Sequence, residues 1–174
     1  MSETHTSLTE FKIWKPEDLQ IQLQRWRLLD ERVVFTNGVF DILHRGHVKL
    51  LEEASSHGTK LLVGINSDAS ARSLNKGPER PINKETDRAY VIAGLASVAA
   101  VIVFDEETPA EILKMVEPHV LVKGGDYDAM EADATSKKFI VGSKEQAARG
   151  SQTLVIPFVD GFSTTAIVQK IANG

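Results

Sequence analysis

A chain of 174 residues, 42% hydrophobic and 25% charged, has the size and balance of one soluble domain with a full core. Its formal charge of -4 argues against a nucleic-acid polymer as partner, and the lack of cysteine excludes a disulfide framework and thiolate metal sites and fits a reducing compartment. No apolar run approaches the roughly 18 residues of a membrane span, and the polar start MSETHTSLTE has no hydrophobic signal core, so a cytoplasmic protein that does not engage the membrane is expected.

Residues 1–10 read as a loose polar tail. Pro16, Glu17 and Asp18 open a helix whose stripe of Leu19, Leu23, Trp26 and Leu29 packs on the body of the domain. Val33, Val34 and Phe35 form a buried parallel strand; Thr36, Asn37 and Gly38 turn it sharply into a helix from Ile42 to about His57. Gly58 stops that helix, and Lys60 to Ile65 is a second strand. After Asn66, Ser67 and Asp68 comes a cationic, turn-rich stretch with Arg72, Lys76, Gly77, Pro78, Arg80 and Pro81. Helical spacing resumes from Thr86 to about Leu95, Val98 to Phe104 is a third strand, and Thr108 with Pro109 starts a helix running to Val116. Val120 to Val122 is a fourth strand ending in Lys123, Gly124, Gly125 and Asp126. A weakly patterned helical region covers Ser136 to about Arg149, Thr153 to Ile156 is a fifth strand, and Ser163 to Ile171 a terminal helix.

Strands alternating with helices along the whole length predict an α/β, Rossmann-like, doubly wound parallel sheet with helices on both faces, in a single domain. Ligands of such sheets bind beyond the C-terminal strand ends, at the switch point of the winding. The stretches 37–47, 66–68, 123–126 and 160–165 are therefore the functional candidates.

In the first, His44 and His47 stand three apart on one helix face, and Gly46 between them costs roughly 1 kcal/mol of helix stability, so something is expected to approach the backbone there. Asp41, His44 and His47 could share a metal, but without HExxH or cysteine an anion held by turn N–H groups and two imidazoles fits better. Ser163, Thr164 and Thr165 offer more hydroxyls than a helix cap needs, which suits phosphates. Neither GxxxxGK[ST] nor GxGxxG is present. Lys76, Arg80 and Arg88 could form an anion-binding wall.

The run Gly38-Val39-Phe40-Asp41-Ile42-Leu43-His44-Arg45-Gly46-His47 carries the pattern GxFDxxHxGH complete and in order, and Phe162-Ser163-Thr164-Thr165-Ala166-Ile167 a Ser/Thr cluster near the C-terminus. On these the chain resembles the HxGH nucleotidyltransferase superfamily, and within it the adenylyltransferases of ADP-heptose synthesis. The likeness extends over Asn66-Ser67-Asp68, Arg80-Pro81-Ile82-Asn83, Asp87-Arg88 and Leu121 to Tyr127. Val168 stands where many relatives are basic, Arg45 where many have proline, and the segment from Asp128 to Arg149 departs from the usual pattern. Residues 1–30 then read as a tail and packing helix and 31–174 as the nucleotidyltransferase domain, a stand-alone version without the kinase half of bifunctional relatives.

The resemblance implies transfer of AMP from ATP, with Mg²⁺ on the triphosphate, to D-glycero-β-D-manno-heptose 1-phosphate, giving ADP-heptose and pyrophosphate. It implies that His44, His47 and Lys123 are catalytic. The nucleotide would be bound by Asn37, Gly38, Val39, Phe40, His44, Gly46 and His47, by Gly124 and Asp126, and by Phe162, Ser163, Thr164 and Thr165. The sugar phosphate would meet Asp41, Asn66, Lys76, Arg80 and Arg88, and no protein metal ligands are expected. A homodimer and a product destined for lipopolysaccharide or capsule are further expectations. The alternatives are a cytidylyltransferase acting on glycerol 3-phosphate with CTP and a nucleotide-binding module without turnover.

Overall fold

The structure, a computed structural model, describes residues 7–74, 77, 79–159 and 161–173. After a single 3₁₀ turn, Glu10–Lys12, the chain forms a two-residue strand β1 (Ile13–Trp14), helix α1 (Pro16–Leu28), β2 (Val33–Gly38), α2 (Arg45–Ser55), β3 (Lys60–Asn66), α3 (Asp68–Ser73) and α4 (Glu85–Ala93). It continues through β4 (Ala100–Phe104), α5 (Ala110–Val116), β5 (Val120–Gly124), α6 (Ser143–Ala148), β6 (Gln152–Ile156) and α7 (Thr164–Ala172).

All the pairings are parallel, in the order β1-β4-β3-β2-β5-β6. The chain winds from β2 outward through β3 to β4, then crosses back to lay β5 on the other side of β2. The switch point therefore lies between the ends of β2 and β5, at Gly38 and Gly124. Because both faces are covered, the strands read as near-continuous apolar runs; Leu61 to Ile65 is buried throughout. Leu51 and Ala54 of α2 and Ala89, Ile92 and Ala93 of α4 pack on one face; Leu19 and Leu23 of α1 and Ile112, Leu113 and Val116 of α5 pack on the other. The expected doubly wound α/β fold is the observed one.

Four elements differ from expectation, the first being α3, a short helix over Asp68–Ser73 where the turn-rich stretch was expected to begin. A sixth strand, β1, pairs Ile13 and Trp14 with Val101 and Ile102 at the sheet edge, too short to carry a period of its own. α2 begins at Arg45, three residues after Ile42, because the residues after Gly38 form a turn whose geometry is tertiary in origin. Of the weak helical region from Ser136 only Ser143–Ala148 is helix; before it the chain makes turns, held in part by hydrogen bonds from Asp128 N–H to the Lys138 carbonyl and from Ser143 N–H to the Ile140 carbonyl. No helix among the described residues is long and apolar enough to cross a membrane.

Candidate active site

Beyond Gly38 the backbone reverses. Phe40 takes a left-handed conformation, φ 49°, which costs a bulky residue on the order of 1 kcal/mol and persists only where packing over-determines it. Its ring lies against Gly38, on the side where a Cβ would stand 3.1 Å away, and meets the His47 ring edge-on with centroids 5.3 Å apart.

Asp41, next in the chain, is 4% exposed. Its Oδ2 accepts from Arg80 Nε at 2.7 Å, and its carboxylate also accepts from the Ile82 and Asn83 amides, each at 2.9 Å. Burial alone would raise this carboxyl's pKa; the amides of Asn83 and Ile82, with Arg80, outweigh it and hold the group below the ordinary carboxylate value. The acid once considered as a shared metal ligand is thus turned toward the 80–83 loop.

Arg88 corrects an expectation. Placed by sequence among the cations facing a sugar phosphate, it has a wholly inaccessible side chain. It donates to the Asn83 carbonyl at 3.0 Å, the Val39 carbonyl at 2.6 Å and Asp68 Oδ1 at 2.8 Å, tying together acceptors from three separate segments of the chain. Lys76, from the same expected wall, lies outside the described residues. Arg80 does reach the cleft described below while bonding Asp41.

The histidines were expected on one helix face. Instead His44 precedes the helix as its N-cap, in extended backbone, and its Nδ1 accepts from Gly46 N–H at 3.1 Å. This brings its ring onto that of His47, stacked at 3.8 Å between centroids. Burial lowers the His44 pKa, so the ring is neutral at pH 7; with Nδ1 accepting, its proton sits on Nε2. What approaches Gly46 is the protein itself: a Cβ there would stand 3.0 Å from the His44 ring and 3.3 Å from Phe162 Cβ. The Arg45 guanidinium lies over the Phe162 ring at 5.7 Å, so the starts of α2 and α7 abut.

At the start of α7 the three hydroxyls divide. Ser163 is the N-cap, accepting from Ala166 N–H at 3.0 Å; Thr164 is buried; Thr165 is exposed. Across the switch point, Lys123 donates to Asn37 Oδ1 at 2.5 Å and stands 5.8 Å from the Tyr127 ring. Gly125 adopts φ 120° beneath the Phe158 ring, where a side chain would collide.

These elements enclose a cleft of about 380 Å³. The turn from Asn37 to Asp41 forms its floor with Lys123 and Gly124, and His47, Asn66, Arg80 and Thr164 stand on its walls. His47 and Thr164, far apart in sequence, share one cavity. His44, stacked on His47, does not itself line the cleft, nor do Gly46, Phe162 and Ser163, and Asp126 and Thr165 are exposed outside the lining. Sequence reasoning missed the turn of Glu107, Thr108 and Pro109, as well as Phe139, Val141 and Phe158. The strand-end rule, applied after β4 and directly after β6, would have found the first group and Phe158; nothing in the pattern of the 128–142 segment marked Phe139 and Val141. Among the described residues no three His, Asp or Glu side chains converge as a metal-binding group.

The profile described as cytidylyltransferase-like matches residues 35–170. The chain is 45% identical over 163 residues to the bifunctional protein HldE of Koribacter versatilis, covering 94% of this chain and 32% of that protein. It is 44% identical over 171 residues to the bifunctional protein HldE of Wolinella succinogenes, covering 98% and 33%. The chain thus spans about a third of the length of the curated relatives it matches. A lipopolysaccharide core biosynthesis protein from Thermoplasma volcanium GSS1 superposes with a TM-score of 0.58 at 27% identity, covering 74% of this chain and 97% of that one. The profile match runs from within β2 into α7 and takes in both helix starts and the cleft between them, so the chain belongs to the cytidylyltransferase-like family of nucleotidyltransferases.

Proposed function

We propose that the chain transfers AMP from ATP to D-glycero-β-D-manno-heptose 1-phosphate, releasing pyrophosphate. The observation that carries the reading is the meeting of His47, Lys123 and Thr164, from three separate elements, in one cleft at the switch point of the sheet. The attacking sugar-phosphate oxygen is already ionised near neutral pH and pyrophosphate is a competent leaving group, so alignment and charge neutralisation dominate over acid–base chemistry.

In this reading Asn37 to Phe40 and Gly124 hold the nucleoside end. His44 Nε2 and His47 donate to the phosphates around the α-phosphorus, and Lys123 offsets charge that develops there. The start of α7, capped by Ser163 and lined by Thr164, receives the outer phosphates. Arg80 meets the incoming sugar phosphate, and Asp41 aims Arg80 rather than touching substrate. Mg²⁺ enters with ATP, held by triphosphate oxygens and water rather than by a protein cage. A cytoplasmic homodimer feeding lipopolysaccharide or capsule synthesis completes the reading.

The test is pyrophosphate release with ATP and with CTP, each against heptose 1-phosphate and glycerol 3-phosphate. Turnover confined to ATP with the sugar phosphate is the expected result. A preference for CTP with glycerol 3-phosphate replaces the reading with a cytidylyltransferase, and ATP binding without release on any acceptor replaces it with a binding module.

A further inference from the structure

The wall of the cleft beyond β3 and β4 has no role in the transfer step. Glu107 and Thr108 line it, on the turn between β4 and α5. The turn is braced from below: Asn66 Nδ2 donates to Ser70 Oγ at 2.9 Å, Ser70 Oγ donates to the Glu106 carbonyl at 2.7 Å, and Ser67 N–H donates to the Phe104 carbonyl at 2.9 Å. Asn66 and Ser70 are buried, so this chain of bonds fixes the backbone on which Glu107 stands.

Two acidic residues line the cleft, buried Asp41 and exposed Glu107, and their carboxylates differ. That of Asp41 is bonded to Arg80 and two amides. Among the described residues no hydrogen bond or ion pair engages that of Glu107. A carboxylate accepts and never donates, and it repels phosphate, so in a cleft for two anionic substrates its use is to take hydrogen bonds from neutral O–H groups. Position agrees with this. β4 lies two strands from β2, roughly 10 Å at 4.8 Å per strand. A sugar phosphate attacking over the β2 turn would lay its ring over β3 and bring distal hydroxyls to Glu107.

We infer that Glu107, helped by Thr108, reads the hydroxyl groups of the acceptor, so that the cleft selects a polyhydroxylated sugar phosphate over a short alcohol phosphate. The inference rests on the proposed nucleotidyl transfer and deepens it. Asn66, expected among the substrate-binding residues, then acts as a positioning residue through Ser70 and the Glu106 carbonyl.

The test is steady-state pyrophosphate release by the native protein, Glu107→Gln and Glu107→Ala, with ATP and heptose 1-phosphate varied in turn and Mg²⁺ at two concentrations. Hydrogen bonds to a charged group predict that Glu107→Ala raises the KM of the sugar phosphate roughly 10- to 100-fold, with Glu107→Gln in between and the KM of ATP within about twofold. Asn66→Ala should repeat the effect more weakly, again on the sugar phosphate. Unchanged KM values in both Glu107 variants overturn the inference, as does an effect on ATP, or one that added Mg²⁺ reverses. Those outcomes leave the transfer reading standing, because the native protein turns over. A native protein that neither turns over nor, by calorimetric titration, binds heptose 1-phosphate overturns both.

Discussion

Two sets of polar residues at the C-terminal edge of the sheet stand differently toward the cleft. Around Arg88, the groups of Val39, Asp68 and Asn83 bond inward, and Asp41 is bonded to the amides of the same 80–83 loop. At the other side of the β2 turn, His47, Lys123 and Thr164 line an open cleft. The first set ties three loops into one rigid wall; the second faces a space the size of a small ligand. A cation or acid after a strand can brace or bind, and only the direction of its side chain decides which.

If the contrast is real, damage to the first set should appear as lost stability and damage to the second as lost turnover. The largest effect is expected from Arg88→Met, which strands two carbonyls and the Asp68 carboxylate. Removing one partner of a buried pair costs about 3 to 5 kcal/mol, and the low end applies because the Asp68 side chain is 23% exposed and regains water. Urea denaturation reads this directly. A variant within about 0.5 kcal/mol of the native protein would show that the wall does not depend on its arginine.

His47→Ala is the counterpart. Loss of one preorganised donor lowers kcat on the order of 10²- to 10³-fold. The stability cost should be about 1 kcal/mol, since His47 is half-buried against Phe40. Unaltered turnover would remove the histidine from the mechanism and with it the distinction between the two sets.

Much of this edge was legible in the sequence because it rests on local signals. The apolar runs of β2, β3 and β5 marked the parallel sheet, and the glycine turn before two histidines marked the corner where the cleft lies. The left-handed backbone of Phe40 carried no signal, since it is imposed by the rings packed around it. Arg88 was misplaced for a related reason. A helical arginine that follows an aspartate in a cation-rich stretch has the pattern of a solvated side chain, and the acceptors that hold it come from Val39, Asp68 and Asn83, which only the fold brings together. His44 shows the same limit at short range: a spacing of three implied a shared helix face, yet its capping bond to Gly46 moved it off the helix and onto the His47 ring.

Arg80 stands on the border of the two sets and sharpens it. Its Nε is bonded to Asp41, yet the residue lines the cleft. Arg80→Ala should therefore raise the KM of the sugar phosphate roughly 10-fold, with a smaller change for ATP, as expected for one charge-assisted contact. Arg80→Lys should recover little, because a lysine has no planar fork with which to bond Asp41 and a phosphate together. An effect confined to ATP would move Arg80 to the nucleotide side of the cleft.

The smallest effects separate Ser163 from Thr164. The Ser163 hydroxyl caps α7 through Ala166, so Ser163→Ala should cost about 1 kcal/mol of helix stability while leaving the cleft lining intact. Thr164 lines the cleft, and Thr164→Val keeps its shape while replacing the hydroxyl with a methyl group. A lost neutral hydrogen bond of about 1 kcal/mol corresponds to a rise of roughly fivefold in the KM of ATP, with melting temperature unchanged. Measured side by side, the two variants should fall on opposite axes, one in thermal unfolding and one in ATP affinity. If Ser163→Ala instead gives the larger rise in KM, its hydroxyl faces the nucleotide when one is bound, and the cap is exchanged for a phosphate contact.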